Sequence, residues 1–138
     1  MTARGRDGVD YRWRGEFTND ELNALHAEAF GYVIGDDDWR GQVERYSLGW
    51  VCARQEGELV GWVNVAWDGG VHAFLIDTVV ADAARRRGIG TQLVQFAVEQ
   101  ASAAGCEWLH VDFDDELAPF YLKACGFTPT PAGVIALR

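Results

Sequence analysis

The run Arg85, Arg86, Arg87, Gly88, Ile89, Gly90, Thr91 constrains this chain more than any other, because it stands where a β-branched apolar stretch gives way to a helical pattern. Ahead of it, residues 73–81 (Ala-Phe-Leu-Ile-Asp-Thr-Val-Val-Ala) read as a strand. Behind it, Leu93, Phe96, Ala97 and Ala101 recur at helical spacing between Gln92 and Ala104. Strand, Gly-rich turn, helix is therefore the local order. A helix start exposes unpaired backbone N–H groups and roughly half a positive charge, so a diphosphate placed there gains hydrogen bonds and a favourable dipole. Glycines at 88 and 90 remove the Cβ atoms that would hold phosphate away, and the three arginines add positive charge. A solvated surface turn would carry the same residues, so the weight falls on where the run lies in the chain.

Two other phosphate sites are excluded. The chain has no G-x-x-x-x-G-K-[ST], and its one lysine is Lys123. Position 93 is Leu, which leaves the G-x-G-x-x-G dinucleotide pattern incomplete.

The 138 residues suffice for one core, read here as a flexible arm over 1–8 and a single domain over 9–138. An apolar fraction of 49% with six tryptophans argues against disorder, and no apolar run is long enough for a membrane span. The polar start lacks a signal-peptide core, so a cytoplasmic location is expected. Cys52, Cys106 and Cys125 are an odd number without C-x-x-C spacing or nearby His pairs; free thiols are expected, and no metal site. A net charge of −9 disfavours nucleic acid as a partner, yet three of the twelve basic residues fall together at 85–87.

Along the chain, a strand is expected near 10–16. A helix follows, capped by Thr18 or Asn19, striped by Leu22, Leu25, His26, Ala29 and Phe30, and closed by Gly31. A second helix is expected from about Asp37 to Tyr46, opened by Asp36, Asp37 and Asp38. Strands at 49–54, 59–67 and 72–81 form a meander. The helix of 88–104 then leads to a strand over 106–113, parallel to 72–81 as such a crossover requires. A helix over 115–124 and a terminal strand over 134–137 complete the order. The expected fold is α/β of the α+β type, a mixed, mostly antiparallel central sheet with helices on both faces.

The stretch Val80 to Gly90, with Arg85, Arg86, Arg87, Gly88 and Gly90, resembles the acetyl-CoA motif R/Q-x-x-G-x-G/A of the GNAT acyltransferase superfamily. Phe120-Tyr121-Leu122-Lys123-Ala124-Cys125-Gly126-Phe127 is similar to that superfamily's helix ending in Gly-Phe. The resemblance implies acetyl-CoA as donor, with the strands of 72–81 and 106–113 splaying apart. Pantetheine would lie in the gap against Val79 and Val80, and the diphosphate on N–H groups of Arg85, Arg86, Arg87, Gly88, Ile89, Gly90 and Thr91. One departure matters. The family pattern places Asn, Ala, Tyr and Gly at intervals that fall here on Asp115, Ala118, Leu122 and Gly126, so Tyr121 comes one residue early. On an ideal helix that is a rotation of about 100°. Pro119 in the first turn can alter the local path.

Direct acetyl transfer to a primary amine of a small molecule or peptide then needs an acid for the departing thiolate, for which Tyr121 is the candidate, and a base for the amine. Asp77, Asp112 and His110 are the base candidates; His26, on an apolar stripe, and His72, opening a strand, rank lower. The N–H of Val80 is the expected oxyanion donor. Two alternatives remain: an idle module that binds CoA or a partner, and an acyltransferase using a longer acyl-CoA or an acyl carrier. The acceptor is expected to meet residues 26–48 and the chain's end, and an exposed edge strand near the C-terminus could pair two subunits into a homodimer.

Overall fold

In the computed structural model, which describes residues 1–5 and 8–138, one six-stranded sheet runs in chain order. It comprises β1 (Thr2–Arg4), β2 (Asp10–Trp13), β3 (Ser47–Gln55), β4 (Glu58–Trp67), β5 (His72–Val80) and β6 (Trp108–His110). All neighbours are antiparallel except β5 and β6, which are parallel. Three helices accompany it: α1 (Asn19–Phe30), α2 (Trp39–Tyr46) and α3 (Ile89–Ala103). This is the mixed, mostly antiparallel sheet expected.

Strand alternation divides the core between the two faces. Trp50, Cys52, Trp62 and Val79 pack with Leu22, Leu25, Trp39 and Val43 of α1 and α2. Val51, Ala53, Val63, Val65 and Leu75 pack on the other face with Ile89, Leu93, Val94 and Ala97 of α3. The sheet is thus covered on both sides, and the period-2 pattern of β3 and β4 is what separates the two cores. Glu56 and Gly57 both take positive φ, 51° and 81°, as a two-residue type I′ hairpin turn between β3 and β4 demands.

The start of α1 is fixed by a capping box. Thr18 Oγ1 accepts from the Glu21 N–H at 3.1 Å, and Glu21 Oε1 accepts from the Thr18 N–H at 2.9 Å. Glu21 also accepts from Arg54 of β3 at 2.7 and 2.9 Å, tying the helix start to the sheet. At its end, Gly31 at φ 71° donates to the Ala27 carbonyl.

Several expected boundaries shift. Thr2–Arg4, expected in a flexible arm, pairs as β1 with β2, while Arg6 and Asp7 lie outside the described residues. β2 stops at Trp13 because Arg14 turns to φ 55°, donates to the Leu48 carbonyl and stacks over Trp50. α2 starts at Trp39, capped by the Asp38 carboxylate on the Gly41 N–H. β6 covers three residues rather than 106–113, since the segment beyond it is rich in Asp, a poor strand former, and leaves the ladder. The helix expected over 115–124 is a 3-10 turn at Asp115–Leu117 followed by a π turn at Pro119–Ala124. No strand forms over 134–137: these residues pair with none of the six strands, and Val134, Ile135 and Leu137 are left exposed instead of half-buried as a sheet residue would be.

The Glu21–Arg54 pair gives a pH-dependent prediction. The Arg54 hydrogen bond, working against partial burial, lowers the Glu21 pKa from 4.5 to about 2. A depressed carboxylate stabilises the fold in full above its unfolded pKa, and that stability is lost as pH falls through about 4.5 toward 2. Glu21→Gln should therefore lower the urea midpoint at neutral pH, with the gap closing steadily as melts are repeated at lower pH.

Candidate active site

The ladder between β5 and β6 pairs only His72, Ala73 and Phe74 with Trp108, Leu109 and His110. Beyond Phe74 the β6-side edge of β5 runs open to Val80, and the chain then enters the Arg-Gly turn. Val79 is buried in the α1 side of the core, and Val80 packs partly buried against the α3 side. The Ala81 N–H donates to the Val60 carbonyl at 2.8 Å, holding the end of β5 to β4. A 3-10 turn at Asp82–Ala84 carries the chain to Arg86 and Gly88, both at positive φ, 65° and 77°. Gly88 is the N-cap of α3 and supplies no side-chain cap, so the first N–H groups of that helix point outward for another acceptor.

The glycines fit this role in different ways. A Cβ on Gly88 would meet nothing within 4 Å, so its requirement is conformational. A Cβ on Gly90 would sit 3.2 Å from two ring carbons of Phe120 and 3.7 Å from Val80 Cγ2, so any side chain there would push Phe120 back from the helix start. The turn is braced from both flanks. Glu28 of α1 accepts from the Asp82 N–H at 2.8 Å, Arg85 reaches the Val80 and Ala29 carbonyls at 3.4 Å, and Arg87 donates to Gln55 at 2.9 Å. Arg85 and Arg87 thus shape the turn as well as charging it.

Tyr121 lies on the α3 side, 7% exposed, stacked on Phe113 with centroids 4.9 Å apart and edge-on to Phe120 and Phe127. Its one-residue displacement is absorbed by the backbone. The Cys125 N–H donates to the Phe120 carbonyl five residues back at 2.9 Å, the mark of a π turn, which accommodates one residue more than an α turn. Tyr121 therefore faces inward although it stands where a regular helix would rotate it away. Burial raises its pKa, and a side-chain hydrogen bond with Thr78 of β5 opposes that rise; Cys125 and Asp112 add smaller upward contributions.

On the other face, Asp77 breaks the β4–β5 register between Trp62 and Asn64 and takes φ 59°, rare for a non-glycine residue. Its Oδ1 lies 3.0 Å from His26 Nε2, and His26 Nδ1 hydrogen-bonds with the Tyr32 hydroxyl. The rings of Phe30 and Trp39 pack on the imidazole at 4.6 and 4.8 Å. Asp77 and Thr78, consecutive on β5, thus meet His26 and Tyr121 respectively. The sequence gives His26 little weight and Tyr32 none; the Asp and His lie 51 residues apart, and only the position of His26 on the stripe of α1 that packs on the sheet hints at the pairing.

The remaining base candidates lie on or just after β6. His110 hydrogen-bonds His72 at 2.8 Å and stacks on Phe74, at the paired end of β5. Asp112 follows β6 and is near enough to Tyr121 to raise its pKa. All three cysteines are free; Cys52 is buried, which pushes its thiol up to about 12, and Cys125 is pushed up to about 11. Among the described residues, no group of three or more His, Cys, Asp or Glu could hold a metal ion, and no helix is long and apolar enough to cross a membrane.

Comparison with known proteins bears on the family and the fold. The model of the acetyltransferase (GNAT) family matches residues 11–127. A mycothiol acetyltransferase of Nocardia farcinica is 40% identical over 62 residues, 45% of this chain and 20% of the relative. A probable glucosamine 6-phosphate N-acetyltransferase of Oryza sativa subsp. japonica is 44% identical over 59 residues, 43% of this chain and 35% of the relative. The matched span is thus well under half of either relative's length. A GNAT-family acetyltransferase of Streptococcus pneumoniae superposes with a TM-score of 0.75 at 19% identity, covering 94% of this chain and 98% of its own, which establishes the shared fold.

The Thr78 contact is open to direct test. Removing a hydrogen bond that lowers the Tyr121 pKa should raise it further. In a spectrophotometric tyrosinate titration, with Tyr121→Phe identifying the transition, Thr78→Val is expected to move that transition upward and leave the others in place.

Proposed function

This chain belongs to the acetyltransferase (GNAT) family, and we propose that it moves an acetyl group from acetyl-CoA directly to a primary amine of a small molecule or peptide. One observation carries the reading. Two proton-handling side chains, His26 and Tyr121, contact consecutive residues of β5, Asp77 and Thr78, beside an open strand edge that leads into an uncapped helix start. In this reading the edge at Val79 and Val80 takes the pantetheine arm, and N–H groups between Arg85 and Thr91 take the diphosphate.

The chemistry follows from the placement. The amine nitrogen attacks the thioester carbon, and the Val80 N–H holds the oxygen of the tetrahedral intermediate. As the carbon–sulfur bond breaks, Tyr121 gives its proton to the sulfur. A phenol kept neutral by burial suits that donor role. Of the three base candidates, Asp77 is favoured as the carboxylate that supports proton removal from the amine, because it lies beside Thr78 and engages His26, whereas His110 engages His72 at the paired end of the strand. An idle CoA-binding module is the weaker alternative, since the displacement of Tyr121 that favours it is offset by the π turn.

The test is release of CoA thiol from acetyl-CoA across amino acids, polyamines, aminoglycosides, lysine peptides and glucosamine 6-phosphate. With the amine that reacts, Tyr121→Phe should lower kcat about 100-fold or more with little change in KM for acetyl-CoA. An unchanged kcat would remove Tyr121 from the chemistry. Gly90→Val, which drives a branched side chain into Phe120, should weaken CoA binding at least about tenfold in calorimetric titration, about 1.4 kcal/mol.

A further inference from the structure

Asp77 does not act alone in this geometry. A carboxylate only accepts, so the 3.0 Å contact places a proton on His26 Nε2. A neutral imidazole then has a bare Nδ1, and that nitrogen accepts from the Tyr32 hydroxyl. The His26 side chain is 12% exposed and that of Asp77 22%, whereas Tyr32 is 45% exposed. The ring is thus reached from solvent through Tyr32. We infer that Tyr32, His26 and Asp77 form a proton relay for the acceptor amine, with the Tyr32 hydroxyl touching the nitrogen and Asp77 orienting the imidazole.

Each member is held from a different element. Asp77 is aimed at α1 by the register break and its left-handed backbone, a costly conformation that a merely packed strand residue would not need. The segment carrying Tyr32 is stapled to α1 by the buried Asn23, whose amide donates to the Asp37 carbonyl at 3.0 Å and whose oxygen accepts from the Asp37 N–H and from Trp39 Nε1. Trp39 in turn packs on the His26 ring. Burial, and after it the nearby carboxylates of Asp37 and Asp77, raise the Tyr32 pKa, so the hydroxyl keeps a proton to pass inward.

The inference rests on the amine-transfer reading above, and its proton balance closes. An ammonium acceptor sheds two protons on becoming an amide, and the sulfur gains one, so each turnover releases one proton. The first passes from nitrogen to the Tyr32 oxygen as the hydroxyl's own proton moves to His26 Nδ1; the imidazolium formed, stabilised by Asp77, returns it to solvent by the same path. The second replaces the proton Tyr121 gives to sulfur.

The test has two arms, both on the full chain. Ring nitrogen NMR of histidine-labelled protein should show His26 with Nε2 protonated and Nδ1 bare, and the Nδ1 resonance should move in Tyr32→Phe. A protonated Nδ1, or a spectrum indifferent to Tyr32→Phe, overturns the relay whether or not the chain proves to be a transferase. In thiol-release kinetics with glucosamine 6-phosphate and spermidine as probe amines, His26→Ala should lose about 100-fold in kcat/KM. Calorimetric CoA affinity should stay constant, and added imidazole should restore activity at least about tenfold. Loss without rescue, or no loss, also overturns it. If the unaltered chain acetylates neither amine, the transfer reading fails for those acceptors, and the ring spectra still decide the relay.

Discussion

The parting of β5 from β6 after three paired residues is the constraint on which the rest of this structure depends. Had the parallel ladder continued to Val80, the strand edge would be consumed by hydrogen bonds and the π turn would have no gap to border. Because it stops, an extended backbone edge that β6 does not pair lies beside the uncapped start of α3. The fold closes around the gap instead of across it. α3 is anchored by Ile89, Leu93, Val94 and Ala97 in the core, and Phe120 seats against Gly90 on its first turn.

β5 also sorts the chemistry. Its register break turns Asp77 toward α1 while the next residue, Thr78, meets Tyr121 on the α3 side. A regular strand would also alternate its faces, but without the left-handed bulge the carboxylate would lack its aim at His26. Two cores, one per sheet face, therefore each deliver one proton-handling group to the same short stretch of strand. The Glu28 contact with Asp82 and the Arg85 contact with Ala29 extend this linkage from α1 to the turn itself.

Much of this was legible in the residues, for local reasons. Arg85 to Thr91 marked a helix start because glycine and the change of period are local signals, and β3 and β4 were marked by strand-forming residues on either side of a Gly-containing turn. The site's long-range pairings were not. His26 read as one more member of a helical stripe, since no local pattern records that an aspartate 51 residues on will bulge toward it. The inward aim of Tyr121 depends on a π turn that ideal helical spacing excludes. The expected strand at 134–137 had the right composition, but a strand needs a neighbour, and none of the six strands pairs with it.

The central claim is that the open edge of β5 and the first turn of α3 together form the site for CoA. Amide NMR during titration of the full chain with CoA tests it most directly. The account predicts the largest shifts at Val79, Val80 and the amides from Arg86 to Thr91, with the β1–β2 end of the sheet unmoved. Saturable CoA binding that left those amides in place, or the absence of any shift at millimolar CoA, would contradict it.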